Sequence, residues 1–166
     1  PMPSSDPVGV LLAHNRWAND NLIKACKTLS EEQLNRSFEM GVGSLYKTIV
    51  HILGAMRGWT DMLAQREQRP RLEAQEHTIE QLAALAIEIG DEFEDVVRAH
   101  PVEGSATGSR GGRSYTFTRG AVLTHVTTHG MHHRAQALNM LRQLGMEKLP
   151  PSAVVEWMLM ADGQGS

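Results

Sequence analysis

His129 and His133 stand four residues apart in a stretch whose apolar residues recur every three to four positions, and this pairing restricts the fold more than any other feature. On a helix the two lie roughly 40° apart, one turn above the other. Val122 and Val126 share that face before them, and Met140 and Leu144 after them, so the imidazoles sit inside the stripe that turns inward. Burying two adjacent imidazoles is costly unless each finds a partner, and one shared ligand satisfies both. The chain must therefore provide other helices to cover this one and a third donor to complete a site. His125 and His132 lie in the same segment, which thus holds four of the eight histidines.

Three further helices are legible. The first spans about Pro7 to Leu29, with Asp6 as N-cap, Pro7 at the first helical position and an inward face of Leu11, His14, Ala18, Leu22, Ala25 and Leu29. After a polar joint ending in Gly41-Val42-Gly43, Ser44 caps a second helix reaching about Gln68, with Leu45, Ile49, Ile52, Met56, Trp59 and Leu63 as its stripe. Thr78 with Gln81 three residues on signals a capping box opening the third, which Pro101 ends. A long Gly-rich connection follows, residues 101–118, with Gly104, Gly108, Gly111 and Gly112. The His-rich fourth helix then runs from about Thr118 to Leu144, with Gly145 at C′, and a short apolar turn from Val154 to Met160 packs on the rest. The expectation is an all-α, antiparallel four-helix bundle.

At 166 residues the chain suits one domain, 1–166, with residues 1–6 and 162–166 expected to be flexible. A net charge of −3 with scattered Lys and Arg gives no footprint for nucleic acid or an anionic membrane. No stretch approaches the roughly 20 apolar residues a membrane span needs, and the polar, Pro-rich start has no leader pattern, so the expected location is the cytoplasm. Cys26 is the only cysteine, which excludes an internal disulfide and a thiolate metal cluster.

A third donor must come from another helix. His51 lies at the border of the second helix's stripe, while His14 is more central on its own face, and spacing alone leaves both open. No Glu-x-x-His pair occurs on these helices, which disfavours a ferritin-like di-iron site. His77, His100 and His132 read as loop, capping or surface residues, and Trp17, Trp59 and the methionines as core.

The stretches His14-Asn15-Arg16-Trp17-Ala18-Asn19, Ile49-Val50-His51-Ile52-Leu53-Gly54 and His125 through His129 to His133-Arg134-Ala135-Gln136 resemble the DinB/YfiT-like family of metal-binding four-helix bundles. The likeness covers nearly the whole chain, including Gln143-Leu144-Gly145 and Pro150-Pro151. By resemblance, His51, His129 and His133 match the family's three metal-ligand positions, and His125 stands just outside the coordination sphere. The resemblance further implies one divalent transition metal (nickel or zinc first, iron or manganese next), a homodimer and a link to stress responses. It implies a small-molecule substrate and, for relatives that are thiol S-transferases or thiol-dependent isomerases, a low-molecular-weight thiol as cosubstrate.

Three imidazoles leave coordination positions open, where a thiol or a water can be activated. Thiol transfer is the first expectation, metal-dependent hydrolysis the second and a non-catalytic metal-binding bundle the third. His125, His14, Asn21, Arg57 and Arg134 are the candidates for supporting or substrate-binding roles, with Arg110 and Arg113 in the Gly-rich connection also suited to a carboxylate. Glu39, Asp61 and Asn21 are candidate bases or orienting groups, and spacing does not choose among them. Leu123, Met131, Leu138 and Leu141 form a second apolar face on the fourth helix, expected at a dimer interface or against neighbouring elements.

Overall fold

Four long amphipathic helices carry the fold because four sequence stretches keep the helical period long enough to bury a stripe. The computed structural model describes residues 2–163. Of the ends expected to be flexible, residues 1 and 164–166 lie outside the described residues. The elements in chain order are α1 (Pro7–Cys26), α2 (Glu31–Asn35), α3 (Leu45–Leu63), a 3₁₀ turn (Leu72–Ala74), α4 (Ile79–Arg98), β1 (Ser105–Arg110), β2 (Arg113–Thr118), α5 (Arg119–Gln143) and α6 (Val154–Met160). No described helix is long and apolar enough to cross a membrane.

Local chemistry sets the helix ends. Asp6 accepts from the backbone N–H groups of Val8 and Gly9, with Pro7 at the first position, as its sequence predicts. Thr78 and Gln81 close the anticipated capping box. A second box, Ser30 with Gln33, starts the short α2 inside what the sequence reading treats as a polar joint. The C-terminus of α5 has Gly145 in the left-handed region (φ 94°), with Met146 N–H bonded to the Leu141 carbonyl.

The chain divides into two units, Pro1–Ile49 with Gly130–Ser166, and Val50–His129. The boundary falls inside α3 and inside α5, and each helix is continuous through it. The first unit buries Leu12, Leu22, Ile23 and Cys26 of α1, Leu34 of α2, Leu45 and Ile49 of α3, Ala137, Met140 and Leu141 of α5, and Trp157 of α6. Ser4 is tied to the Asp162 carboxylate through both its N–H and its hydroxyl.

The second unit buries Ile52, Leu53, Met56 and Leu63 of α3, Leu82, Ile89 and Phe93 of α4, and Val122, Leu123 and Val126 of α5. Here the Gly-rich connection proves to be folded: β1 and β2 pair antiparallel, from Ser105 opposite Thr118 to Arg110 opposite Arg113. Gly111 and Gly112, with φ of 58° and 75°, make the two-residue turn, a conformation that glycine adopts without strain and that matches the strand twist. Only Ala106 of the hairpin is buried. Gln65, just past α3, also has a left-handed backbone (φ 54°), unusual for a residue with a side chain. Its amide explains the choice: it donates to the carbonyls of Met62 and Thr107, and its oxygen accepts from Thr107 N–H, so it fastens β1 to the end of α3.

Arg119, the first residue of α5, is buried and donates to the carbonyls of Leu63 (2.9 Å) and Val96, at the ends of α3 and α4. One guanidinium thus satisfies orphan carbonyls of two helices. Replacing Arg119 with Met should therefore lower unfolding free energy by about 1–3 kcal/mol, since the Leu63 carbonyl loses its side-chain donor and the Val96 carbonyl keeps only the Ala99 N–H. Urea denaturation monitored by helical circular dichroism measures this, and a loss below about 0.5 kcal/mol would contradict the capping role.

Candidate metal centre

Helical period alone brings His129 and His133 of α5 together, and α3 adds His51. The ring nitrogens these three offer all lie within 4.8 Å of one another, the group among the described residues that could hold a metal ion. His51 Nε2 and His129 Nε2 are 3.0 Å apart, their ring centroids 4.8 Å. Two imidazole nitrogens reach that separation by one donating to the other or by sharing an ion, since donors about 2.0–2.1 Å from a common metal stand roughly 3–3.4 Å apart. His51 and His129 are half-buried, and His133 is 9% exposed.

Gln136 fixes the third ring. Its Oε1 lies 2.8 Å from His133 Nδ1, so that nitrogen carries the proton and Nε2 keeps its lone pair, the tautomer a metal requires. The Gln136 amide nitrogen meets His132 Nε2 at 3.3 Å. Gln136 occurs in the stretch that carries the family resemblance, but a role for it was not read from sequence. The available signal was its place one turn beyond His133.

His14 is buried elsewhere. Its Nε2 lies 2.7 Å from the Ser152 carbonyl, and it is not in the three-histidine group. Asn21 donates to the neighbouring Pro151 carbonyl, so both side chains hold the post-helical tail to α1. His125 is exposed and stands beside the group, its ring 5.5 Å from His129 and edge-on to Trp59 at 5.1 Å.

Arg134, next to His133, is 1% exposed and donates from Nη1 to Asn19 (2.8 Å) and Asn15 (3.4 Å), both on α1. A Cβ at Gly130 would fall 2.8 Å from that same Nη1, so the absence of a side chain there gives the guanidinium its space. Burial depresses the Arg134 pKa to about 10.

Arg57 and Asp61 are committed to structure. Arg57 donates to the Pro70 carbonyl at 2.6 Å. Asp61 is 1% exposed and accepts from Arg66 Nε, Arg69 Nε and Arg69 N–H, while both arginines also reach Glu92. Burial alone would raise the Asp61 pKa, but the bonds from Arg69 and then Arg66 hold it below the ordinary carboxylate value. An ion pair of this kind leaves Asp61 poorly suited to act as a base. Glu39 is exposed and outside the group. Of the second apolar face of α5, Leu123 and Leu141 are buried within the chain and Met131 is exposed.

A groove of about 1060 Å³ begins at His51 and runs along α3, lined by Trp59, Met62, Arg57 and the hairpin residues Arg110, Tyr115 and Phe117 among others. His51, one of the three imidazoles, thus lines a concave, partly aromatic site, the usual form of a small-molecule centre.

A model of the DinB family matches residues 2–158. The chain belongs to the DinB family. Protein DinB of Bacillus subtilis strain 168 is 25% identical over 163 residues, spanning 88% of this chain and 91% of that protein. A DinB-like protein from Bacillus cereus superposes with a TM-score of 0.66 at 17% identity, covering 86% of this chain and 95% of that one. YfiT from Bacillus subtilis, described as a probable metal-dependent hydrolase with an unusual four-helix bundle topology, gives 0.61 at 17% identity, covering 89% and 94%. These neighbours establish the fold of this DinB-family chain as the helical bundle anticipated from its four stripes.

His14 generates a pH prediction. Burial, reinforced by the Arg134 charge and opposed by the Ser152 bond, holds its pKa below 6.5. The unfolded chain therefore binds the extra proton, so this contribution is complete above pH 6.5 and is lost as pH falls toward the folded value. His14→Gln keeps a donor for the Ser152 carbonyl but cannot titrate, and should reduce the acid sensitivity of urea stability. A wild-type-minus-variant difference that stays constant from about pH 7.5 to about pH 5 would refute this.

Proposed function

We propose that this DinB-family protein is a metal-dependent enzyme that holds one divalent transition metal through His51, His129 and His133 and transfers a small thiol to an electrophile or uses it to isomerise one. The observation that carries the proposal is the convergence of three imidazole nitrogens within 4.8 Å, one of them on His51, which also lines a groove of about 1060 Å³. The donor chemistry fits: an all-imidazole set suits nickel or zinc, and also iron, while the lone cysteine, Cys26, is buried. When bound, such an ion supplies Lewis-acid activation of a thiol or a water near neutral pH.

The chain's own residues perform the rest. Gln136 holds His133 in the tautomer that offers Nε2. Trp59 and Phe117, in edge contact at 5.9 Å, form an apolar wall beside His51. The groove is of the size that takes a small-molecule substrate. Hydrolysis is the second reading, favoured by the description of YfiT as a probable metal-dependent hydrolase.

The metal-loaded protein should consume 1-chloro-2,4-dinitrobenzene only when glutathione, bacillithiol or mycothiol is added. His133→Ala should reduce that rate by at least the 10–100-fold that loss of a mere supporting partner typically costs. Ester turnover without thiol, abolished by His133→Ala, would replace thiol transfer with hydrolysis. No turnover of either kind, with melting that still depends on metal, would overturn the enzymatic reading.

A further inference from the structure

All six residues of β2 are exposed, yet the strand carries two large rings. Side chains alternate along a strand, so Arg113, Tyr115 and Phe117 share one face, and their cross-strand partners Arg110, Gly108 and Ala106 share it with them. That face meets the groove, since Arg110, Gly108, Tyr115 and Phe117 all line it. The Tyr115 and Phe117 rings stack with centroids 6.0 Å apart and planes 15° from parallel. They remain 40% and 38% exposed. Gly108, directly opposite Tyr115, puts no side chain over the ring.

The rings continue inward. Phe117 meets Trp59 edge-on, Trp59 meets His125, and His125 leads through His129 to His51. An apolar wall left wet inside a concavity, and connected by ring contacts to the candidate metal group, is a surface for a ligand rather than a piece of core. At its outer end Arg110 and Arg113 face each other across the turn, like charges that an anion between them relieves. The wall is held in place: Gln65 fastens β1 at Thr107, and Gly108 approaches Met62 so closely that a Cβ would lie 2.8 Å from its Cγ.

We infer that the hairpin face formed by Tyr115, Phe117 and Arg110 is a binding subsite for a flat aromatic group bearing an anionic substituent, so that the substrate class is an aryl carboxylate or a similar aryl anion. The ring lies against Tyr115 and Phe117, with its anion at Arg110 and its reactive end toward His51. The assignment of a substrate rests on the groove serving the three-histidine centre, but binding to the hairpin does not need a metal.

The test therefore uses the metal-free full chain and 1-naphthoate, measured by isothermal titration, with 1-naphthylmethanol and cyclohexanecarboxylate as probes that lack the charge or the flat ring. Naphthoate should bind about tenfold tighter than either. The double variant Tyr115→Ser, Phe117→Ser should weaken naphthoate by about tenfold or more, whereas Ile87→Ser, another exposed apolar residue, should not. Arg110→Gln should abolish the preference for naphthoate over the alcohol. Tyr115→Leu, which keeps apolar area without a flat ring, provides a second variant should the double one fold poorly, and it should also weaken naphthoate. No naphthoate binding by the wild type, or equal binding by the Tyr115 and Phe117 variants, overturns the subsite. Naphthoate binding that follows these variants while no electrophile is ever turned over sustains the subsite and defeats the catalytic reading. Turnover abolished by His133→Ala, with naphthoate indifferent to the hairpin, does the reverse.

Discussion

Helix α5 must both pack and present imidazoles, and the rest of the site follows from how it meets those two demands. Val122, Val126, Ala137 and Met140 bury its stripe, while His129 and His133 occupy positions in the same stripe. Polar rings there are stable only with partners. His51 Nε2 lies 3.0 Å from His129 Nε2, and Gln136 Oε1, 2.8 Å from His133 Nδ1, leaves the Nε2 of His133 as its lone-pair nitrogen, so the three rings offer nitrogens to one place. Arg134 reinforces the arrangement by bonding Asn15 and Asn19 of α1 from a fully buried position made possible by Gly130.

Helix existence was legible because the signals were local. Asp6-Pro7, the Thr78 to Gln81 box and Gly145 each act within a few residues of where they stand, and each does in the structure what its chemistry implies. Ends governed by distant partners were not legible in the same way. α3 stops at Leu63 rather than near Gln68 because Gln65 turns left-handed to reach Thr107, some 40 residues on. The hairpin was missed for a different reason. Its strands bury only Ala106, so they lack the alternating apolar pattern, and in sequence Gly111-Gly112 reads only as part of a long Gly-rich connection.

The site was legible to the same degree. His129 and His133 follow from helical geometry, whereas the choice of His51 over His14 came from family resemblance. The structure gives that choice a physical basis, because His14 is committed to the Ser152 carbonyl in a tail whose docking no spacing rule reveals. Asp61 shows the converse. A carboxylate two residues beyond Trp59 looks available in sequence, yet Arg66 and Arg69 bind it. Tyr115, Phe117 and Arg110 are what the hairpin contributes to the exposed lining of the groove, which Glu67 and Glu73 also line.

The central claim is that three imidazoles form one metal centre. Elemental analysis of protein purified without a metal-affinity step, before and after reconstitution with nickel or zinc, tests it most directly. One equivalent per chain is the predicted result, lost in His51→Ala and retained in His14→Ala. A ratio near zero that reconstitution does not change, or a metal that survives His51→Ala and disappears in His14→Ala, would contradict it.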